Sequence, residues 1–110
     1  MIKILFICSR NKRRSRTAEK IFKNRQDIDV KSAGFSKKSL VKVSEKDLHW
    51  ADLILVMEYR HSKRLKELFH QIKLPQLGVL KIPDDYEFME GRLIHLIEKK
   101  TSNAIEQYLQ

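Results

Sequence analysis

Ile2-Lys3-Ile4-Leu5-Phe6-Ile7-Cys8-Ser9-Arg10-Asn11-Lys12-Arg13-Arg14-Ser15-Arg16-Thr17-Ala18-Glu19 changes character twice. Its first six residues are apolar, β-branched or aromatic with one lysine, the pattern of a strand buried on both faces. Cys8 to Arg14 is polar and strongly basic, without glycine or proline. From Ser15, the positions Ala18, Ile21, Phe22 and Arg25 fall at helical spacing, and Ser15 is placed to cap that helix. Strand, tight polar loop and helix in this order make a natural anion site. The loop turns backbone N–H groups inward, and the helix adds its positive end.

Further along, the same alternation repeats. Asp29-Val30-Lys31-Ser32-Ala33-Gly34 is a short strand ended by glycine, and residues 35–43 form a basic loop. Ser44 stands three residues before Asp47, a capping-box-like start for a short helix. Asp52 to Met57 is a third strand, and from Tyr59 a helix carries Leu65, Leu68, Phe69 and Ile72 on one face. Leu77 to Ile82 is a fourth strand, stopped by Pro83. A long last helix sets Leu93, Ile97, Ala104, Ile105 and Tyr108 on one side, with Thr101-Ser102-Asn103 as the place for a break. Strands alternating with helices imply right-handed crossovers. The expected fold is α/β: a doubly wound, four-stranded parallel sheet with helices on both faces, in one domain spanning residues 1–110. Ligands in such folds bind beyond the carboxyl ends of the strands. Cys8 to Arg14 and Pro83-Asp84-Asp85-Tyr86 both fall there.

Composition narrows the function classes. The apolar run at Met1 to Ile7 is too short for the core of a signal peptide or for a membrane span, which points to a cytoplasmic protein with no membrane partner. Cys8 is the only cysteine, so no disulfide can form within the chain and a relay of thiols has no second member. A lone cysteine is more often a small buried hydrophobe than a nucleophile, so its neighbours must decide. His49, His61, His70 and His95 are scattered without metal-site spacing and fit surface or partly buried positions. The net charge of +9, from 23 basic and 14 acidic residues, favours anionic partners. Nucleic acid is among them, although no nucleic-acid-binding motif is present.

The neighbours of Cys8 fit a nucleophile. Positive potential in such a loop favours the thiolate form of a cysteine. Arg14 has the planar fork that grips two phosphoryl oxygens, which lysine lacks. Ser15 can donate its hydroxyl to the sulfur.

At these residues the chain resembles the low-molecular-weight protein tyrosine phosphatases. The likeness rests on the strand followed by Cys8-x5-Arg14-Ser15, on Ala18-Glu19, on Ser32-Ala33-Gly34, and on Ala51-Asp52-Leu53-Ile54 with Met57. Its elements cover nearly the whole chain. The resemblance implies Cys8 as nucleophile forming a phosphocysteine, Arg14 as the clamp on the phosphoryl oxygens, Asn11 holding the loop and Ser15 tuning the sulfur. Ser9, Arg10, Asn11, Lys12, Arg13, Arg14 and Ser15 would form the phosphate-binding loop. It also implies an acid after the fourth strand. Aligning Tyr86 with the family tyrosine puts Asp84 in that place, with Asp85 as the substitute. The expected activity is hydrolysis of phosphomonoesters, foremost protein phosphotyrosine, with a phosphorylated protein or small phosphomonoester as partner and with neither cofactor nor metal. The rival readings are a module that uses the basic loop to hold phosphate ends or nucleic acid, and a catalytically weak domain that only binds phosphoprotein.

Three features depart from the family pattern. Arg10 stands where the family has glycine, and Arg13 where it often has a second cysteine. The segment between the second and third strands is compressed to Phe35 through Val43, leaving Phe35 and Tyr86 to line the opening. Trp50 suits packing better than a substrate wall.

Overall fold

The computed structural model describes residues 1–110. Four strands, β1 (Ile2–Cys8), β2 (Ile28–Gly34), β3 (Leu53–Val56) and β4 (Gln76–Val79), alternate with helices α1 (Arg14–Phe22), α2 (Glu45–Trp50), α3 (Tyr59–Leu68) and α4 (Gly91–Leu109). All strand pairings are parallel and the order is β2-β1-β3-β4. The doubly wound parallel sheet expected from the alternation is therefore present.

The side-chain period of two along β1 sorts its residues between two cores. Ile4, Phe6 and Cys8 join Leu53, Leu55 and Met57 in one cluster with Ala18 and Phe22 of α1 and Leu93 and Ile97 of α4. Leu5 and Ile7 face the other way, with Ile54, Val56, Leu48 of α2 and Leu65 of α3. Helices thus cover both faces, which explains the near-continuous apolar character of β1 and β3. Trp50 packs against the second cluster, with the Lys31 ammonium 4.6 Å from its ring centroid.

Several sequence-based boundaries shift for identifiable reasons. Helix α1 begins at Arg14 with Arg13 at its cap, so Ser15 is not the cap. Its hydroxyl is directed to Cys8 and Asn11 instead. Ser44 does cap α2, accepting the Asp47 N–H at 3.3 Å. Strand β3 is shorter than Asp52 to Met57, although Asp52 and Met57 still donate backbone N–H groups to Lys3 and Ile7 of β1.

Strand β4 ends at Val79 rather than Ile82 because Lys81 takes a left-handed φ of 58°. Leu80 and Ile82 remain tied by their N–H groups to Val56 and Met57. Leu68 is 54% exposed, not on the buried face of α3; the helix ends there, and Phe69 and Ile72 reach the second core from the turn beyond. Helix α4 runs unbroken through Thr101-Ser102-Asn103. Thr101 is wholly buried, and Ser102 bonds the Glu98 carbonyl within the helix at 2.8 Å, so these residues continue the helix they were expected to interrupt.

Candidate active site

The loop between β1 and α1 turns without glycine because Asn11 adopts the left-handed conformation, with φ of 53°. Arg10 needs no such angle, so its replacement of glycine is compatible with the loop. The Asn11 side chain is buried and fully engaged. It donates to Ser15 Oγ at 2.8 Å and to Ser32 Oγ at 2.9 Å, and its Oδ1 accepts the Val41 N–H at 3.1 Å. Ser32 in turn donates to Glu19.

From the β2 side, Gly34 lets the loop approach. A Cβ at that position would lie 2.7 Å from Asn11 N and 2.8 Å from Arg10 C, which backbone atoms cannot accommodate. Ser9 O accepts the N–H groups of Phe35 and Ser36 and fixes the loop to the end of β2.

Held this way, the loop has the form of an anion nest. The N–H groups of Ser9, Arg10, Asn11, Lys12 and Arg13 donate to no other group of the chain. The first turn of α1 adds the unpaired N–H groups found at every helix start. Cys8 Sγ lies 3.0 Å from Ser15 Oγ. Because Ser15 already accepts from Asn11, its own hydroxyl hydrogen is free to point at the sulfur.

Arg14 is the largest of the fully buried side chains. Its Nη1 donates to Glu58 at 2.5 Å and to the Ile82 carbonyl at 2.8 Å. Nε and Nη2 make no hydrogen bond and remain as a two-pronged edge, with Asp84 Oδ1 3.7 Å from Nε. Cys8 and the loop through Arg14 line a cavity of about 400 Å³ that Arg60 and Asp84 close on the far side. Asp84 is therefore brought to the sulfur and the arginine. Asp85 and Tyr86 do not line the cavity; Tyr86 packs on the first core beneath Arg92. Phe35 lines a neighbouring hollow of about 600 Å³ that shares Ser9 and Arg60 with this cavity.

Three residues near the loop, Glu58, Arg60 and His61, receive no role from the sequence. Glu58 pairs with both Arg14 and Arg60, whose bonds hold its carboxyl down to about 2, with Arg60 the larger influence. His61 is 2% exposed, not at the surface. Its Nδ1 accepts the Glu58 N–H at 3.1 Å, so the ring proton sits on Nε2 and is donated to Ser9 Oγ at 3.0 Å. Burial, followed by the charges of Arg14 and Arg60, pushes this histidine down to about 4. Glu58 is the N-cap of α3 and His61 its third residue, a spacing that signals a helix start; only the fold brings them to the loop.

The sign of the histidine shift fixes a pH effect. Between about pH 6.5 and 4 the unfolded chain takes up the His61 proton and the folded chain resists it, so stability falls as pH drops through that window. The urea midpoint should decline on acidification from pH 6.5 to 5, and His61→Gln should flatten that decline. Glu58 adds a loss only as the pH falls from about 4.5 toward 2.

No family sequence model and no curated protein matches the chain. Solved structures do. The low-molecular-weight protein tyrosine phosphatase SP-PTP of Streptococcus pyogenes superposes with a TM-score of 0.80 at 18% identity, over 97% of this chain and 93% of that one. The chain has the low-molecular-weight protein tyrosine phosphatase fold. The YwlE arginine phosphatase of Geobacillus stearothermophilus matches with a TM-score of 0.71 at 22% identity, over 99% of this chain and 96% of that one. The tyrosine phosphatase Wzb of Escherichia coli K30, in complex with sulphate, gives 0.65 at 17% identity, over 97% and 99%. The phosphatase fold is thus spanned from end to end despite the short segment between β2 and β3.

Proposed function

We propose that the protein hydrolyses phosphomonoesters through a phosphocysteine intermediate, with protein phosphotyrosine as its substrate. The observation that carries this reading is the meeting of Cys8, Arg14 and Asp84 around one cavity, over a loop of unpartnered N–H groups. The neighbours of like fold that act on phosphotyrosine or phosphoarginine support the reaction class.

In the proposed sequence the Cys8 thiolate attacks phosphorus in line with the leaving oxygen. The equatorial oxygens, which carry the charge, lie against the N–H groups of Ser9 to Arg13 and the Nε–Nη2 edge of Arg14. Asp84 gives its proton to the phenolic oxygen as the P–O bond breaks. The resulting Asp84 carboxylate then takes a proton from the water that attacks phosphocysteine. The S–P bond breaks, phosphate leaves, and the Ser15 hydroxyl stabilises the returning thiolate. Every group in this sequence belongs to the chain, and the reaction is expected to run in EDTA.

The rim favours an aryl ester over phosphoarginine. Arg10, Lys12, Arg13 and Arg60 surround the cavity, with Asp84 as the one carboxylate among the lining residues. A protonated guanidinium beneath the phosphoryl group would enter against these cations, of which Arg10 and Lys12 have no carboxylate partner, whereas a tyrosyl ring carries no charge to repel.

Steady-state hydrolysis of a phosphotyrosyl peptide and of phosphoarginine, with EDTA present, tests the reading. The wild type should turn over the aryl ester preferentially. Asp84→Asn should lower kcat by about 10²- to 10⁴-fold, the usual worth of a general acid. Asp85→Asn should stay close to wild type. A wild type inactive on both substrates, or an Asp84→Asn variant with the wild-type rate, refutes it.

A further inference from the structure

Beside the Cys8 cavity lies a hollow of about 360 Å³ lined by Arg10, Asn11, Lys12, Arg16, Lys38 and Leu40. Arg10 and Lys12 line both, so the two hollows are neighbours. We propose that this second hollow is an anion subsite, which takes a carboxylate or second phosphate carried by the peptide around the phosphorylated residue. The proposal rests on the phosphatase reading and names its substrate class as acidic phosphopeptides.

The charge arrangement carries the argument. Arg10, Lys12, Arg16 and Lys38 line one hollow that no carboxylate lines, and none of them makes an ion pair. Of the six arginines elsewhere, Arg13, Arg14, Arg25, Arg60 and Arg92 each face an aspartate or glutamate, and Arg64, the exception, lies against the Phe35 ring. Like charges gathered without a partner destabilise a fold, and a bound anion removes that cost.

Three of the four are also held in place. Arg10 and Lys12 flank Asn11, whose buried side chain makes three hydrogen bonds. The Arg16 guanidinium lies 5.6 Å from the centroid of the Phe88 ring.

A peptide suits the hollow better than a nucleic acid. Single strands are gripped by stacking bases on open aromatic faces. Neither hollow has an aromatic lining, and Phe88, beside Arg16, already lies under Arg16 and Lys20. Leu40 is the single apolar contact on offer.

Arg16 and Lys38 stand outside the phosphate-binding loop, so Arg16→Gln/Lys38→Gln tests the subsite alone. kcat/KM would be measured for two phosphotyrosyl peptides, one flanked by aspartates and one by glutamines, and for p-nitrophenyl phosphate. The wild type should prefer the acidic peptide by about tenfold at low salt, the worth of a few partly exposed charge contacts. The preference should shrink as salt shortens the Debye length to about 3 Å at 1 M. The double variant should lose most of it while hydrolysing p-nitrophenyl phosphate at the wild-type rate.

Equal rates on both peptides in the wild type, or an undiminished preference in the variant, overturn the subsite. So does faster hydrolysis of a 5′-phosphorylated oligothymidylate than of the acidic peptide. Fluorescence polarisation of the labelled peptides on Cys8→Ser separates the two readings. If no ester is turned over but the acidic peptide still binds more tightly through Arg16 and Lys38, the phosphatase reading fails and the subsite stands.

Discussion

Cys8→Ser is expected to lower phosphotyrosine hydrolysis by about 10⁵-fold or more, the scale seen when a covalent nucleophile is removed. A serine hydroxyl at this position keeps the shape of the loop. It lacks the thiolate, and Asp84 is the only carboxylate the cavity provides to activate it. The variant should remain folded, because Cys8 ends β1 and a serine there can still bond Ser15, which lies 3.0 Å from the sulfur. Inorganic phosphate should still bind it, since the N–H groups of Ser9 to Arg13 and the Arg14 edge are untouched. Single-turnover rates, phosphate binding by calorimetry and the urea midpoint check the three parts separately. A Cys8→Ser enzyme that keeps a tenth of the wild-type rate would remove Cys8 from the chemistry and leave the loop as an anion-binding device.

That the cysteine can be singled out at all shows how much of this protein is legible in its sequence. The alternation of apolar runs with helical spacing is a consequence of burial on both faces of β1 and β3, so element order and sheet type follow from it directly. Cys8, Arg14 and Ser15 sit within one loop and its helix, where chain connectivity alone keeps them close. Asp84 is distant in sequence, but a residue that follows a parallel strand must emerge at the same sheet edge as Cys8.

What stays hidden depends on single backbone angles and on contacts across the sheet. Lys81 ends β4 early through a left-handed φ that its residue type does not announce. Ser15, a good cap by type, is claimed by Cys8 and Asn11, and Thr101 and Ser102 continue a helix that their propensities argue against. Glu58 and His61 touch Arg14 and Ser9 only because β3 lies beside β1.

Arg14→Lys separates charge from geometry, and it is expected to lower kcat/KM for phosphotyrosine by about 10²- to 10³-fold, as for the loss of one oriented donor to the transition state. The guanidinium does two jobs at once. Nη1 holds Glu58 and the Ile82 carbonyl, while Nε and Nη2 face the place where a phosphoryl group would lie. A lysine ammonium is one point with three donors and cannot occupy both positions. If it stays with Glu58 and Ile82, the fold survives and the phosphoryl oxygens lose their bidentate partner. If it moves to the phosphate, Glu58 keeps Arg60 but the Ile82 carbonyl is left buried without a donor, which costs about 1–3 kcal/mol.

Either way catalysis falls, and stability tells which way the ammonium goes. Urea unfolding with and without phosphate, beside the kinetics, distinguishes the cases: a midpoint close to wild type places the ammonium on Glu58, and a lowered midpoint places it in the cavity. A variant with a third or more of wild-type kcat/KM would show that the fork is dispensable, and that Arg14 serves to tie the loop to β3 and to the segment after β4.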